Sequence, residues 1–227
     1  MIRSDLDRTR QIAPQILEHL RERILSLDLR PGTPLSRAEL QQQFGSSQTP
    51  VRDALMKLEE EGLVTVYPQY ATLVSKIDVD LARQAHFMRR AVEQEAVFTI
   101  ASSSEAKAVG DRLALATETL AKLSETTQQG AFSDADRAFH WIIFEAARIE
   151  HLWPIIRRHS GHIDRLRRLD LSAHGKQRII DAHAEIVDAV RSGKPETAEM
   201  AMKRHLSGTL SAIEEIATQF PDYLQLR

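Results

Sequence analysis

Every stretch of this 227-residue chain that reads as a β-strand lies before residue 78; beyond it, apolar residues recur only at helical spacing. The asymmetry predicts a mixed N-terminal domain over residues 1–76 and an all-helical domain over 78–227. In the first part, Gln11 to Leu27 carries Ile12, Ile16, Leu20, Ile24 and Leu27 three or four residues apart, the stripe of an amphipathic helix. Pro31-Gly32 stops it. Ser36 caps a second helix, Arg37 to Phe44, which Gly45 ends. A third helix runs from about Thr49 to Glu61, with Pro50 in its first turn, Val51, Ala54, Leu55 and Leu58 on its apolar side, and Gly62 after it. Leu63–Tyr67 and Thr72–Ile77 flank Pro68-Gln69-Tyr70-Ala71 as a hairpin. Helix, helix, turn, helix and hairpin, in that order, outline a winged helix-turn-helix.

From Asp78 the pattern predicts helices over about 78–103, 105–127, 131–148, 150–171, 175–192 and 195–218. The breaks are Ser102-Ser103-Ser104, Gln129-Gly130, His174-Gly175 and Ser192-Gly193-Lys194-Pro195. Loops this short imply an antiparallel all-α bundle, so the fold class is mainly α. The chain has no cysteine, which excludes a disulfide framework and a thiolate metal site. No apolar run approaches the roughly 20 residues that span a bilayer, and the first residues carry no apolar signal core. A cytoplasmic location without a membrane partner is expected.

The formal net charge is −2, and residues 1–76 hold ten Lys plus Arg against ten Asp plus Glu. Nucleic acid must therefore be met through a local patch. A helix-turn-helix places the start of its second helix in the major groove. Here that region is Ser46-Ser47-Gln48-Thr49-Pro50-Val51-Arg52. Hydroxyl and amide groups bond phosphates and base edges; glutamine suits adenine, and arginine suits guanine or phosphate. Backbone N–H groups at a helix start also face an anionic strand well. The same residues read equally as an N-cap cluster beside a solvated charge. Balanced charge predicts modest affinity per monomer, and hence a dimer.

The stretch from Leu27 to Val64, with Leu29-Arg30-Pro31-Gly32, Phe44-Gly45, Thr49-Pro50-Val51-Arg52 and Leu58-Glu59-Glu60-Glu61-Gly62-Leu63, resembles the winged-helix signature of the GntR family of bacterial regulators. The resemblance implies DNA contacts at Ser47, Gln48, Thr49 and Arg52, and at Gln69 in the wing. The chain has Gln48 where the family often has arginine, and Tyr70-Ala71 where it often has Arg-Gly.

Four residues of the second half stand out. Asp136 and His140 lie one helical turn apart on a face with Phe132, Phe139, Ile143 and Ala147. A carboxylate is costly to bury there without a partner. His183 lies among Ile179, Ile186, Val187 and Val190, and His205 among Ala198, Ala201, Met202, Ala212 and Ile213. Their midpoint, (183 + 205)/2 = 194, falls in the Ser192–Pro195 turn, so in an antiparallel hairpin the two imidazoles sit at one height. Asp136, His140, His183 and His205 thus form a candidate Asp/His₃ set for a divalent ion, zinc first, with nickel, manganese or iron as alternatives. A buried histidine is also an ordinary core residue. His86, His151, His159, His162 and His174 show no convergence and are read as surface or core.

The segments Asp134–Ala147, Asp181–Leu206 and Phe87–Val97 resemble the FCD ligand-binding bundle of the FadR-like subfamily, whose metal-binding members use an Asp-x-x-x-His pair and two later histidines. Where many members have Gly-Asn, this chain has Arg148-Ile149. The resemblance implies a homodimer that binds a short inverted-repeat operator on double-stranded DNA, as a repressor, and changes its grip when a small carboxylate effector binds. Arg89 is the candidate cation for that carboxylate. The rivals are a metal-dependent hydrolase and a purely structural ion; no HExxH motif or phosphate-cradling loop supports the former, and no catalytic residue is assigned.

Overall fold

A computed structural model describes residues 6–126 and 129–225. The side chain of His174 lies outside the described residues. The chain divides into two compact units, Met1–Ala82 with Gly161–Arg168 and Glu215–Arg227, and Arg83–Ser160 with Leu169–Glu214.

In the first unit, α1 (Ile12–Leu25), α2 (Arg37–Phe44) and α3 (Gln48–Glu60) precede β1 (Val64–Tyr67) and β2 (Ala71–Val74). Ile16, Leu20 and Ile24 of α1 join Leu40 and Phe44 of α2 and Val51, Ala54, Leu55 and Leu58 of α3 in one core. Burying such a side chain stabilises by about 1.5–3 kcal/mol, which is why this stripe outranks local propensity. The Ser36 Oγ accepts from the Glu39 N–H at 3.3 Å. Gly45 turns left-handed at φ 56° and ends α2. The hairpin runs antiparallel in the register Val64↔Val74 to Tyr67↔Ala71. The chain before α2 borders β2: the Leu35 N–H donates to Thr72 O at 2.7 Å and the Val74 N–H to Thr33 O at 2.9 Å.

The structure departs from the expected pattern at three places. A strand does occur beyond residue 78: β3 (Ile77–Asp78) pairs in parallel with β4 (Leu224–Gln225), and the Ile77 N–H donates to Tyr223 O at 2.8 Å. The helix expected over 150–171 is divided into a 3₁₀ turn at Glu150–Leu152, α7 (Trp153–His159) and α8 (Gly161–His174). Ser-Gly pairs are known points of helix bending, and the break falls at Ser160-Gly161. A Cβ on Gly161 would stand 2.6 Å from the Leu63 Cδ2, so the approach of α8 to the wing excludes any side chain there. The helix expected over 195–218 is also broken, into α10 (Pro195–Ser211) and α11 (Ile213–Gln219), with Ile213 and Ile216 buried after the break.

The start of α8 carries a buried polar station. The Asp78 N–H donates to His162 Nδ1 at 2.9 Å. Arg165, with no exposed surface, donates to Ser75 O at 2.7 Å and Gly161 O at 3.3 Å, and one terminal nitrogen stands 3.1 Å from His162 Nδ1. Burial, and then the Arg165 charge, push the His162 imidazole down to about 4, against a smaller upward pull from Asp78. Burial pushes the Arg165 guanidinium down to about 9.

The second unit is helical. It contains most of α4 (Val79–Ala101), α5 (Ala106–Ser124), α6 (Gln129–Ala146), α7, the end of α8, α9 (Gln177–Arg191) and α10. Its core holds Val97, Ile100, Leu113, Phe139, Ile143, Ile186, Val190, Ala198 and Met202. α9 and α10 form a hairpin around Ser192-Gly193-Lys194, with Gly193 left-handed at φ 61°. The chain leaves α6 through Arg148 at φ 57°, where the Ile149 N–H closes the helix onto Phe144 O at 2.9 Å. A non-glycine residue in this conformation costs about 1–2 kcal/mol. Arg148→Gly is therefore expected to raise the melting temperature, with a gain of up to about 1 kcal/mol after the added chain entropy of glycine is deducted. A fall in melting temperature would assign the Arg148 side chain a stabilising contact.

Candidate functional site

α6, α9 and α10 bring Asp136, His140, His183 and His205 together. One ligand atom from each lies within 4.8 Å of all the others. Asp136, His140 and His183 are buried and His205 is half-buried. His205 Nε2 stands 3.2 Å from His140 Nε2 and 3.3 Å from His183 Nε2. The Asp136 Oδ1 stands 3.4 Å from His183 Nε2 and 3.9 Å from His140 Nε2. Ligands bonded at 2.0–2.1 Å to one ion are separated by about 3.3 Å in a tetrahedron and about 2.9 Å in an octahedron. Three of the spacings, 3.2, 3.3 and 3.4 Å, lie near the former value. A single proton on His205 Nε2 cannot serve two ring nitrogens well, whereas a shared cation meets every lone pair. The donor set fits a divalent ion.

The orientation of these rings is built in. The His140 Nδ1–H donates to the Glu93 Oε2 at 2.5 Å, which leaves the Nε2 lone pair directed at the cluster. Glu93, with no exposed surface, in turn accepts from the Arg89 Nε at 2.7 Å. Burial alone would push the Glu93 carboxyl up; the Arg89 guanidinium and then His140 prevail and hold it at about 2. Ring stacking on Phe139, at 3.8 Å between centroids and 5° between planes, fixes His183. Arg89 is not part of a solvated Arg89-Arg90 run: it is 5% exposed and bonded to Glu93. Sequence reasoning singled out Arg89 but missed that Glu93 links it to His140; the signal was the Arg-x-x-x-Glu spacing facing the Asp-x-x-x-His helix.

The other candidate surface is the start of α3. Ser47, Gln48, Thr49 and Arg52 are all exposed. The Ser47 side chain makes no capping bond to α3, so its hydroxyl is not consumed by the helix. Arg52 pairs with Asp53 across 3.5 Å, an exposed contact worth at most about 1 kcal/mol. Met56, 51% exposed and one turn beyond Arg52, extends the stripe; an apolar side chain in the expected polar face was passed over in the sequence. The acids at the far end are engaged: Glu61 with Arg21, Glu60 with Lys57, and Glu59 with the Val66 N–H. Gln69 is exposed in the Tyr67–Tyr70 turn and left-handed at φ 59°, and Tyr70 beside it is 88% exposed. His86 and His162 are buried outside the metal-type cluster, while His151 and His159 are exposed. No helix among the described residues is long and apolar enough to cross a membrane.

Residues 12–74 match the bacterial regulatory proteins of the gntR family, and residues 84–208 match the FCD domain. The chain is 33% identical over 204 residues, 89% of its length and 85% of the relative's, to an HTH-type transcriptional regulator in an unstable DNA locus of Streptomyces ambofaciens. It is 28% identical to the HTH-type transcriptional repressor RspR of Escherichia coli, covering 98% of this chain and 97% of that one. Its fold is similar to that of McbR/YncC of E. coli, with a TM-score of 0.73 at 19% identity over 93% of this chain and 99% of that one.

Proposed function

This chain belongs to the gntR family of bacterial regulatory proteins and carries an FCD domain, and from that membership we propose that its operator binding is controlled by a small carboxylate at the Asp136, His140, His183 and His205 cluster. It is a DNA-binding transcriptional regulator. In this reading residues 1–76 read DNA and residues 78–227 sense. Two copies pair on a short inverted repeat, and binding represses. Ser47, Gln48, Thr49 and Arg52 meet the major groove, and Gln69 follows the backbone from the wing.

The observation that carries the reading is the convergence of one carboxylate and three imidazoles within a buried bundle. Asp136, His140, His183 and His205 would hold a divalent ion, zinc first by the donor set, and the ion supplies an electrostatic anchor for an anionic group. The chain's own residues do the rest. Glu93 holds the tautomer of His140, and Arg89 fixes Glu93 while adding a positive charge that favours a carboxylate. An effector shifts DNA affinity only by its differential affinity for two domain arrangements.

An operator selected from random duplexes, followed by a gel-shift assay with a panel of small carboxylates, tests the reading. Release or tightening by at least one carboxylate in wild type is expected, with none in a variant lacking the cluster. Arg52→Ala and Gln48→Ala should each weaken operator binding about 5- to 150-fold, the equivalent of about 1–3 kcal/mol per base contact, with an unchanged circular dichroism spectrum. Unchanged affinity in both variants would place the recognition surface elsewhere.

A further inference from the structure

We infer that Arg8 is a DNA contact of this chain: its guanidinium, held against the turn before α3, takes a phosphate beside the groove that α3 enters. The inference rests on the reading of the α3 start as the recognition surface. It adds a residue outside residues 12–74, the segment that matches the gntR family.

A short turn ahead of α1 places the side chain. The Asp7 Oδ1 accepts from the Thr9 N–H at 2.9 Å and from the Thr9 hydroxyl at 2.6 Å, and the Arg10 N–H closes onto Asp7 O at 3.2 Å. Gln15 of α1 clamps this turn at two points: its Nε2 donates to Asp7 O at 2.8 Å, and its Oε1 accepts from the Asp7 N–H at 2.8 Å. From there Arg8 reaches the C-terminal end of α2, where its Nη2 donates to Gly45 O at 3.2 Å. Ser46 and Ser47 then lead into α3. The turn is thus ordered before DNA arrives, and binding does not have to immobilise it.

The contact with Gly45 leaves the charge of Arg8 available. The carbonyl is a neutral acceptor, and Arg8 is exposed. A guanidinium carries five N–H donors, so donors remain for an anion. Asp7, beside it in sequence, gives its Oδ1 to Thr9. The neighbouring cations are less available: Arg52 shares its charge with Asp53 at 3.5 Å, and Arg10 lines a surface groove with Glu18 and Glu22. Residues 1–76 balance ten bases against ten acids, so a cation beside the recognition helix and held by a neutral group matters to the local field. A helix-turn-helix sets the start of its second helix in the major groove, so the turn before that helix borders a row of phosphates. A side chain fastened to Gly45, two residues before Ser47, therefore meets phosphate and not a base edge.

The test is titration of the full chain over about 50–200 mM monovalent salt, on the operator selected from random duplexes and on an unrelated duplex of equal length. Wild type, Arg8→Ala, Arg8→Lys and Arg52→Ala are compared. For Arg8→Ala, affinity is expected to fall about 8-fold per bound copy at 0.1 M salt, by the same factor on both duplexes. The slope of log K against log salt is expected to shrink by about 1 per bound copy. Arg8→Lys keeps the charge and should keep the slope, and the melting temperature of Arg8→Ala should match that of wild type. An unchanged slope in Arg8→Ala, or a loss confined to the operator, overturns the phosphate contact. A lowered melting temperature with a slope that lysine fails to restore also overturns it and makes Arg8 a fastener of the turn. If Arg52→Ala weakens binding and Arg8→Ala does not, the α3 surface stands and the Arg8 contact falls. If neither does, both fall.

Discussion

Replacing His183 and His205 together by alanine is expected to remove the bound divalent ion and every carboxylate-dependent change in operator binding, while operator binding itself survives. His183 has no exposed surface, and its Nε2 lies 3.4 Å from the Asp136 Oδ1 and 3.3 Å from His205 Nε2. With both imidazoles gone, Asp136 and His140 offer two donors, too few for a closed site. An ion that binds only the folded chain stabilises it by RT ln(1 + [L]/Kd), about 4 kcal/mol at a thousandfold excess over Kd. A chelator should therefore lower the melting temperature of the wild type and leave that of the double variant unchanged. Elemental analysis, thermal unfolding and effector-dependent gel shifts on both proteins decide the matter. Equal metal content would refute the ligand assignment. Loss of metal with a retained effector response would make the ion structural and move sensing elsewhere in the bundle.

The second large effect concerns pH. His162 is held neutral by burial and by Arg165, with its imidazole at about 4 instead of the ordinary 6.5. Below 6.5 the unfolded chain takes up a proton that the folded chain refuses. Stability from this source is complete above pH 6.5 and declines as pH falls to about 4, by about 3 kcal/mol in all. The geometry supplies the same sign. His162 Nδ1 accepts from the Asp78 N–H at 2.9 Å and faces the Arg165 guanidinium at 3.1 Å, so a proton there would break one bond and set two cations together. In His162→Asn the amide oxygen takes the place of Nδ1 as acceptor without titrating. Denaturant unfolding of both proteins between pH 7 and 4 should show the wild type losing stability faster. Because other histidines titrate in the same range, the difference between the two proteins is the quantity to read. Parallel curves would rule out His162 as the source.

Much of this arrangement was legible in the sequence because its signals are local. Ser36 and Gly45 bracket α2 by capping chemistry alone, and Val51, Ala54, Leu55 and Leu58 define the buried side of α3 by spacing alone. The equidistance of His183 and His205 from the Ser192–Pro195 turn needed only the assumption of a hairpin. What escaped depends on contacts between distant segments. Nothing near Leu224 announces a strand, since its pairing with Ile77 links residues 147 positions apart (224 − 77). The closeness of Leu63 to Gly161 joins residues 98 positions apart (161 − 63). His162 reads only as surface or core, and Arg165 carries no signal of its own, until Ser75 and Asp78 supply their partners.

The pairing of β3 with β4 also orders events during synthesis. Ile77, Asp78 and the wing emerge from the ribosome well before their neighbours Tyr223 and Leu224, which lie more than 140 residues later. The nascent winged helix must wait, with the fully buried Ile77 uncovered, until Leu224 has been made. A chain cut short before Tyr223 would thus carry α4 to α10 complete but lack the strand that pairs with Ile77.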